Sequence, residues 1–140
     1  MRYIIFISIV TLTLYATSLE KSLNIVLDKN NNLMWQDNKE STHYKEDITM
    51  GKTYCQNLIL NGYIDWRIAT IKELQSILDI TNNKTTIKKE FQYTNSSKYW
   101  SSTSYIKDKN KFWFIDFNKA IIGYENKDKK QTIRCVRDIK

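Results

Sequence analysis

Proline is absent from this chain of 140 residues, cysteine occurs twice and histidine once. Each scarcity closes off a chemistry. Without proline there is no Glu-Pro-Asn signature of the kind that binds sugars through calcium. Two cysteines cannot build a structural zinc site, and His43 alone cannot complete one. A Gly-x-Ser-x-Gly elbow is also missing, so the run Ser101-Ser102-Thr103-Ser104 lacks the setting of a nucleophile. It reads better as a strand end whose hydroxyls satisfy buried backbone. Asp37, Glu40, Glu46 and Asp47 gather acid around one loop, but without EF-hand spacing. Internal repeats, heptads and long low-complexity linkers are lacking too. No metal, cofactor or enzymatic activity is therefore expected.

What is present begins with an export signature. Arg2 precedes an apolar run over residues 3–16, and Ala16-Thr17-Ser18 offers small residues where a signal peptidase reads them. The run is shorter than the roughly 18 apolar residues of a bilayer span. Residues 1–18 are expected to be a cleaved signal peptide and residues 19–140 one soluble domain. An uncleaved N-terminal anchor and an ordinary buried segment are the alternatives. No cysteine follows the run, which argues against a lipoprotein anchor.

Export bears on the cysteines. An oxidising compartment favours joining Cys55 to Cys135, the only pair. The loop closed would hold about 80 residues and stabilise by roughly 4–5 kcal/mol in the chain-entropy account. That is a large part of the about 5–15 kcal/mol of a typical domain. Two free buried thiols are the other possibility.

Charge is distributed unevenly. Residues 19–97 carry ten Lys+Arg and ten Asp+Glu, whereas residues 98–140 carry eleven and five, a net +6. A Lys-, Asn- and Ile-rich composition explains many lysines without a binding role, but not that split.

Residues 23–27 and 33–36 read as two strands, joined by the turn Asp28-Lys29-Asn30-Asn31-Asn32. Residues 37–45 read as loop. Over residues 47–60 the pattern turns helical, with Ile48, Gly51, Cys55 and Leu58 on one face and Asn61-Gly62 as the stop. Thr70-Ile71-Lys72-Glu73 has capping-box form and opens a second helix to about residue 79, with Ile71, Leu74, Ile77 and Leu78 as its stripe. Residues 80–98 read as a long exposed loop. Its sequons at Asn83 and Asn95 matter only in a eukaryotic secretory pathway. Strands are expected over 99–104, 112–117, 120–124 and 132–136. In the last, Ile133 and Cys135 share a face and Arg134 points the other way. A strand pair, two helices and an antiparallel sheet make an α+β fold.

Six motifs occur in one order: Leu33-Met34-Trp35-Gln36, Tyr54-Cys55-x-x-Leu58, Gly62-Tyr63-x-Asp65-Trp66-Arg67, Thr70-x-x-Glu73-Leu74, Tyr99-Trp100-Ser101-Ser102-Thr103 and Arg134-Cys135-Val136-Arg137. Each is weak alone. Together, over about residues 24–138, they resemble the DUF1566 family, the Legionella collagen-like protein C-terminal domain family. The resemblance implies a bacterial exported domain of C-type-lectin-like fold, two short helices on antiparallel sheet, with a Cys55–Cys135 bridge. The best-known member is the tip of an adhesin that binds sulfated glycosaminoglycans. This chain has Ala69 where the family usually has Pro, and Asn32 where it has Gly. It contains no collagen-like repeat.

Asp65-Trp66-Arg67 is read as a corner, with Trp66 in the core and its charged neighbours on local backbone; a surface ion pair flanking a ligand-stacking indole is the alternative. Trp35, Trp100, Thr70 and Glu73 belong to the same structural signature. The binding candidate is the basic last third. There Lys98, Lys107, Lys109, Lys111, Lys119, Lys127, Lys129, Lys130, Arg134 and Arg137 alternate with Tyr99, Tyr105, Trp113 and Tyr124. Lysines meet sulfates as point charges, arginines by bidentate forks, and aromatics stack on sugar faces. Lys127, Lys129, Lys130, Arg134 and Arg137 are expected to form the core of a patch for a sulfated or acidic polysaccharide. An unidentified envelope protein is the alternative partner, the lysines then being only solubilising. Export argues against nucleic acid.

Overall fold

The computed structural model describes residues 18–140, so the expected signal segment lies, up to residue 17, outside the described residues. Its strands are β1 (Leu19–Ser22), β2 (Ile25–Asp28), β3 (Leu33–Gln36), β4 (Lys45–Glu46), β5 (Arg67–Ile68), β6 (Lys98–Tyr105), β7 (Asp108–Asp116), β8 (Ile121–Asn126), β9 (Gln131–Thr132) and β10 (Cys135–Asp138). The helices are α1 (Glu40–His43), α2 (Ile48–Asn57) and α3 (Ile71–Ser76). One sheet runs β1-β2-β3-β10-β5 and the other β4-β9-β6-β7-β8. The pairings are antiparallel except where β9 meets β6 at Thr132 and Tyr99. The fold is α+β, as expected.

Local chemistry explains the turns. The Asp28 carboxylate accepts from the Asn31 backbone at 3.1 Å and its amide at 2.8 Å. Asn32 then takes φ +53°, a left-handed conformation that Asn tolerates. A second such residue corrects the first expected strand. Asn24, at φ +62°, makes a tight hairpin between Ser22 and Ile25, so residues 23–27 divide and β1 pairs in front of β2.

Neither helix runs as far as its pattern suggests. α2 ends at Asn57 because Leu58 turns extended. Asn61 and Gly62, at φ +51° and +75°, are instead the two-residue turn of a small hairpin closed by Leu60 and Tyr63, where positive φ at both positions suits Asn-Gly. α3 stops at Ser76, while Ile77 and Leu78 continue irregularly, Leu78 bridging to Ile87. Its capping box is formed: Thr70 Oγ1 accepts from the Glu73 backbone at 3.3 Å and Glu73 accepts from the Thr70 backbone at 2.7 Å. Residues 37–45, expected as loop, hold α1 and the start of β4.

Residues 80–98 are irregular up to the start of β6, but not simply exposed. Ile87 and Phe91 are buried, and Thr86 anchors its segment by donating from N and Oγ1 to the Phe117 carbonyl. Two apolar side chains among polar neighbours were too few to show a period. The last strand is split. β9 lies in one sheet and β10 in the other, and the chain crosses at Ile133-Arg134.

Both faces of the first sheet are covered. Val26, Trp35 and Val136 lie in one apolar cluster with Leu74 of α3. Ile25, Met34 and Cys135 lie in another with Ile48 and Cys55 of α2. A disulfide joins Cys55 to Cys135, with Cα atoms 5.6 Å apart across a separation of 80 residues. It fastens α2 to β10. Replacing both cysteines by serine is expected to lower unfolding stability by roughly 4 kcal/mol, measured by urea denaturation. A loss below about 1 kcal/mol would show that packing alone holds this helix to its strand.

Candidate functional site

The conspicuous Asp65-Trp66-Arg67 is built into the scaffold. Trp66 is buried and donates from Nε1 to the Tyr63 carbonyl at 2.9 Å. Its neighbours reach side chains rather than local backbone, which corrects the expectation. Arg67 forks onto both Glu73 oxygens at 2.8 Å and reaches Asp138 at 3.0 Å, while Asp65 pairs with Lys140 at 3.2 Å. Hydrogen bonding to Glu73 raises the Arg67 pKa further, against the opposing effect of burial. For Glu73, burial favours the neutral acid, but hydrogen bonds from Arg67 and Thr70 outweigh it and hold the carboxyl below its ordinary value. The same carboxylate thus caps α3 and holds Arg67 of β5, whose guanidinium also reaches Asp138 of β10.

Trp35 and Trp100 are also fully buried, Trp100 donating to the carbonyls of Glu46 at 3.2 Å and Lys129 at 3.1 Å. The hydroxyl run does serve backbone: Ser101 Oγ donates to the Trp113 carbonyl at 2.7 Å, and Thr103 Oγ1 accepts from the Ile71 amide at 3.0 Å. The four acids have separate surroundings. Asp47 caps α2, accepting from Met50, Glu46 pairs with Lys130, Glu40 opens α1, and Asp37 is buried. His43, expected in a loop, is exposed at the end of α1.

The five cations proposed from sequence as one patch divide among three environments. Arg134 is only 1% exposed and cannot meet a polyanion. Its guanidinium donates to the carbonyls of Gln36, at 2.7 Å, and Tyr93, lies 3.5 Å from Asp37, and stacks near Phe91 and Tyr99 with centroid distances of 5.0 and 5.6 Å. Asp37 in turn accepts from the Gln92 and Tyr93 amides at 2.8 and 2.9 Å. Strand alternation placed Arg134 opposite Cys135 correctly; it carried no sign that the opposite side is also covered. Arg137 is buried as well, its Nε donating to the Ile64 carbonyl at 2.9 Å and its guanidinium 4.8 Å above the Tyr63 ring.

Lys127, Lys129 and Lys130 remain together at the surface, in the β8–β9 connection. The Lys127 amide donates to the Asn110 carbonyl at 2.7 Å, which ties this connection to the β6–β7 hairpin and its Lys107, Lys109 and Lys111. Glu46 holds Lys130 at 3.2 Å, and Asp108 lies 3.9 Å from Lys111. Among the described residues no carboxylate lies within ion-pair distance of Lys107, Lys109, Lys127 or Lys129.

Beside these lysines the β7–β8 pairing sets Trp113 opposite Tyr124. Tyr105 stacks on Tyr124 at 4.1 Å, Trp113 meets both edge-on, and the Lys111 ammonium sits 5.6 Å from the Tyr124 centroid. Desolvation and the Tyr124 hydroxyl push the Tyr105 phenol above its ordinary pKa. Tyr99, counted with these aromatics from the sequence, is buried instead, and Lys98 lies over Phe114. Only cross-strand register could separate this half-exposed trio from the core rings.

In a comparison with protein families, residues 24–137 match the Lcl C-terminal domain. No curated protein sequence matches the chain significantly.

Two outcomes follow from this geometry. Arg134→Gln strands Asp37 without its cation and is expected to cost about 3–5 kcal/mol. Arg134→Lys does not restore it, since a point charge cannot reproduce the fork. Thermal melting beside Lys127→Gln, expected within about 0.5 kcal/mol of wild type, checks both. Because the Glu73 pKa is lowered in the folded state, its stabilisation is present above the ordinary carboxylate value of about 4.3 and fades as pH falls through the lower folded value. The stability gap between wild type and Glu73→Gln should therefore narrow as pH falls from about 5 through the lowered folded-state value. A constant gap would refute the ionic role.

Proposed function

The chain belongs to the Lcl C-terminal domain family, and from that premise we propose an exported bacterial binding domain without catalytic activity, whose ligand is a polyanionic or sulfated glycan. The disulfide is consistent with export. A C-type-lectin-like assignment of the α+β fold belongs to the same reading. The observation that carries the ligand class is the joining of two lysine-bearing segments, 107–111 and 127–130, by the Asn110–Lys127 hydrogen bond. The half-exposed trio Tyr105, Trp113 and Tyr124 lies alongside. Lysines supply mobile point charges for sulfate or carboxylate, and ring edges and faces supply contact for sugar carbons. Arg134 and Arg137 have no part in this surface.

A second reading has its own support. β8 is the edge of its sheet, and its Ile121, Ile122 and Tyr124 are 51%, 38% and 45% exposed. An envelope protein could add a strand there. Salt separates the two, because polyanion binding weakens as ionic strength rises whereas a packed apolar interface hardly responds. The oxidised full-length chain should stay on immobilised heparin, but not on neutral dextran, beyond about 0.15 M NaCl. Replacing Lys127, Lys129 and Lys130 together by Gln should bring elution to or below that point. Weak retention of the unaltered chain would overturn the glycan reading, and unaltered retention of the variant would overturn the assignment of these three lysines.

A further inference from the structure

Arg137 occupies the floor of a cleft on the opposite sheet from the lysine surface. Strand register aligns it with Met34 on β3, and Met34 with Leu27 on β2, so an apolar–apolar–cationic row crosses three strands. Tyr63 forms one wall. Ile139 forms another, fixed by the hydrogen bond from its amide to the Asn32 carbonyl at 2.9 Å. The cleft has a volume of about 530 Å³, within the range of roughly 300–1,000 Å³ common for small-molecule sites.

Three cationic side chains line this cleft and no Asp or Glu side chain does. Lys29 and Lys140 stand at the rim, with side chains 59% and 78% exposed, and each already pairs with an acid, Glu20 and Asp65. Arg137 is different. It is 8% exposed, and among the described residues its side chain makes one hydrogen bond, from Nε to the Ile64 carbonyl. Among the described residues no carboxylate lies within ion-pair distance of it, and its terminal nitrogens are not sealed from solvent. A fork held so deep, with its two outer nitrogens unpaired, matches a planar or tetrahedral oxyanion in two-point geometry. Low surrounding polarity strengthens that attraction. Leu27, Met34 and Ile139 then face whatever carries the anion.

We propose that this cleft binds a small amphiphilic organic anion, a carboxylate or sulfate ester whose charged group sits on Arg137 and whose apolar body lies along Leu27, Met34 and Ile139. This site is separate from the glycan surface and does not depend on it. A polysaccharide spreads its charge along a chain, whereas one recessed guanidinium accepts one group.

The test is an amide-resolved NMR titration of the oxidised full-length chain with octanoate, using octanamide and inorganic sulfate as controls. The expected result is saturable shifts at Leu27, Met34, Tyr63 and Arg137, with octanoate binding at least about tenfold tighter than either control. Arg137→Lys should weaken octanoate about tenfold by removing the fork. Should that variant unfold, Ile139→Asp decides, because it sets a carboxylate at the rim without touching the Arg137 contacts and should weaken octanoate to a similar degree. The proposal is overturned by no saturable binding, by octanamide or sulfate binding as well as octanoate, or by shifts centred on Lys127–Lys130. Unchanged affinity in a folded variant would overturn it equally.

Discussion

A buried arginine sets the terms of this fold. Between Thr132 and Cys135 the chain leaves one sheet for the other, and Arg134 lies at that crossing with its charge out of water. A guanidinium there must be given acceptors and a counter-charge. The Gln36 carbonyl comes from the first sheet, the Tyr93 carbonyl from the segment leading into the second, and Asp37 supplies the anion. Asp37 is itself held by the Gln92 and Tyr93 amides. A segment without helix or strand is thereby fixed against both sheets, and Phe91 is carried into the core beside Trp35 at 6.2 Å. Such a pair adds little net stability over an apolar replacement, but an arrangement that separated Arg134 from Asp37 would leave an uncompensated buried charge.

The disulfide acts next to this crossing. Cys135 follows Arg134 directly, and its amide donates to Gln36 Oε1 at 3.1 Å, while Gln36 Nε2 donates to Tyr54 Oη at 2.9 Å. The residue beside each cysteine, Tyr54 and Arg134, thus meets Gln36 at the end of β3. Cross-link and polar network constrain the same three elements, β3, α2 and β10. Glu73 caps α3 while holding Arg67 of the edge strand β5, and Arg67 reaches Asp138 at the other end of β10. These cross-links converge on β10, away from the lysine-bearing β6–β7 hairpin and β8–β9 connection.

Much of this architecture was legible in the chain. Asp28-Lys29-Asn30-Asn31-Asn32 announced its turn because Asx side chains bind their own backbone, and Thr70-x-x-Glu73 announced a helix start for a similarly local reason. Helix lengths were less legible. Leu58 continues the apolar spacing of α2, yet the chain turns extended there to reach the Asn61-Gly62 hairpin, a choice made by packing. Ile87 and Phe91 were hidden because an irregular segment has no period to reveal which side chains are covered.

The candidate sites show the same division. Sequence alone determined that positive charge gathers in the last third, that Cys55 and Cys135 were available to join, and that Arg134 points away from the face shared by Ile133 and Cys135. These are counts and alternations, properties of the chain itself. Which cations reach a ligand was decided only in three dimensions. Alternation assigns a side but cannot say whether another element covers it, and here both sides of the first sheet are covered. Arg134 was sealed between the sheets, Arg137 was sunk in a cleft formed by residues more than a hundred positions apart, and Lys127, Lys129 and Lys130 were left at the surface. Burial is a relation between distant parts of the chain, so only the packed molecule could distribute these charges among scaffold, cleft and surface.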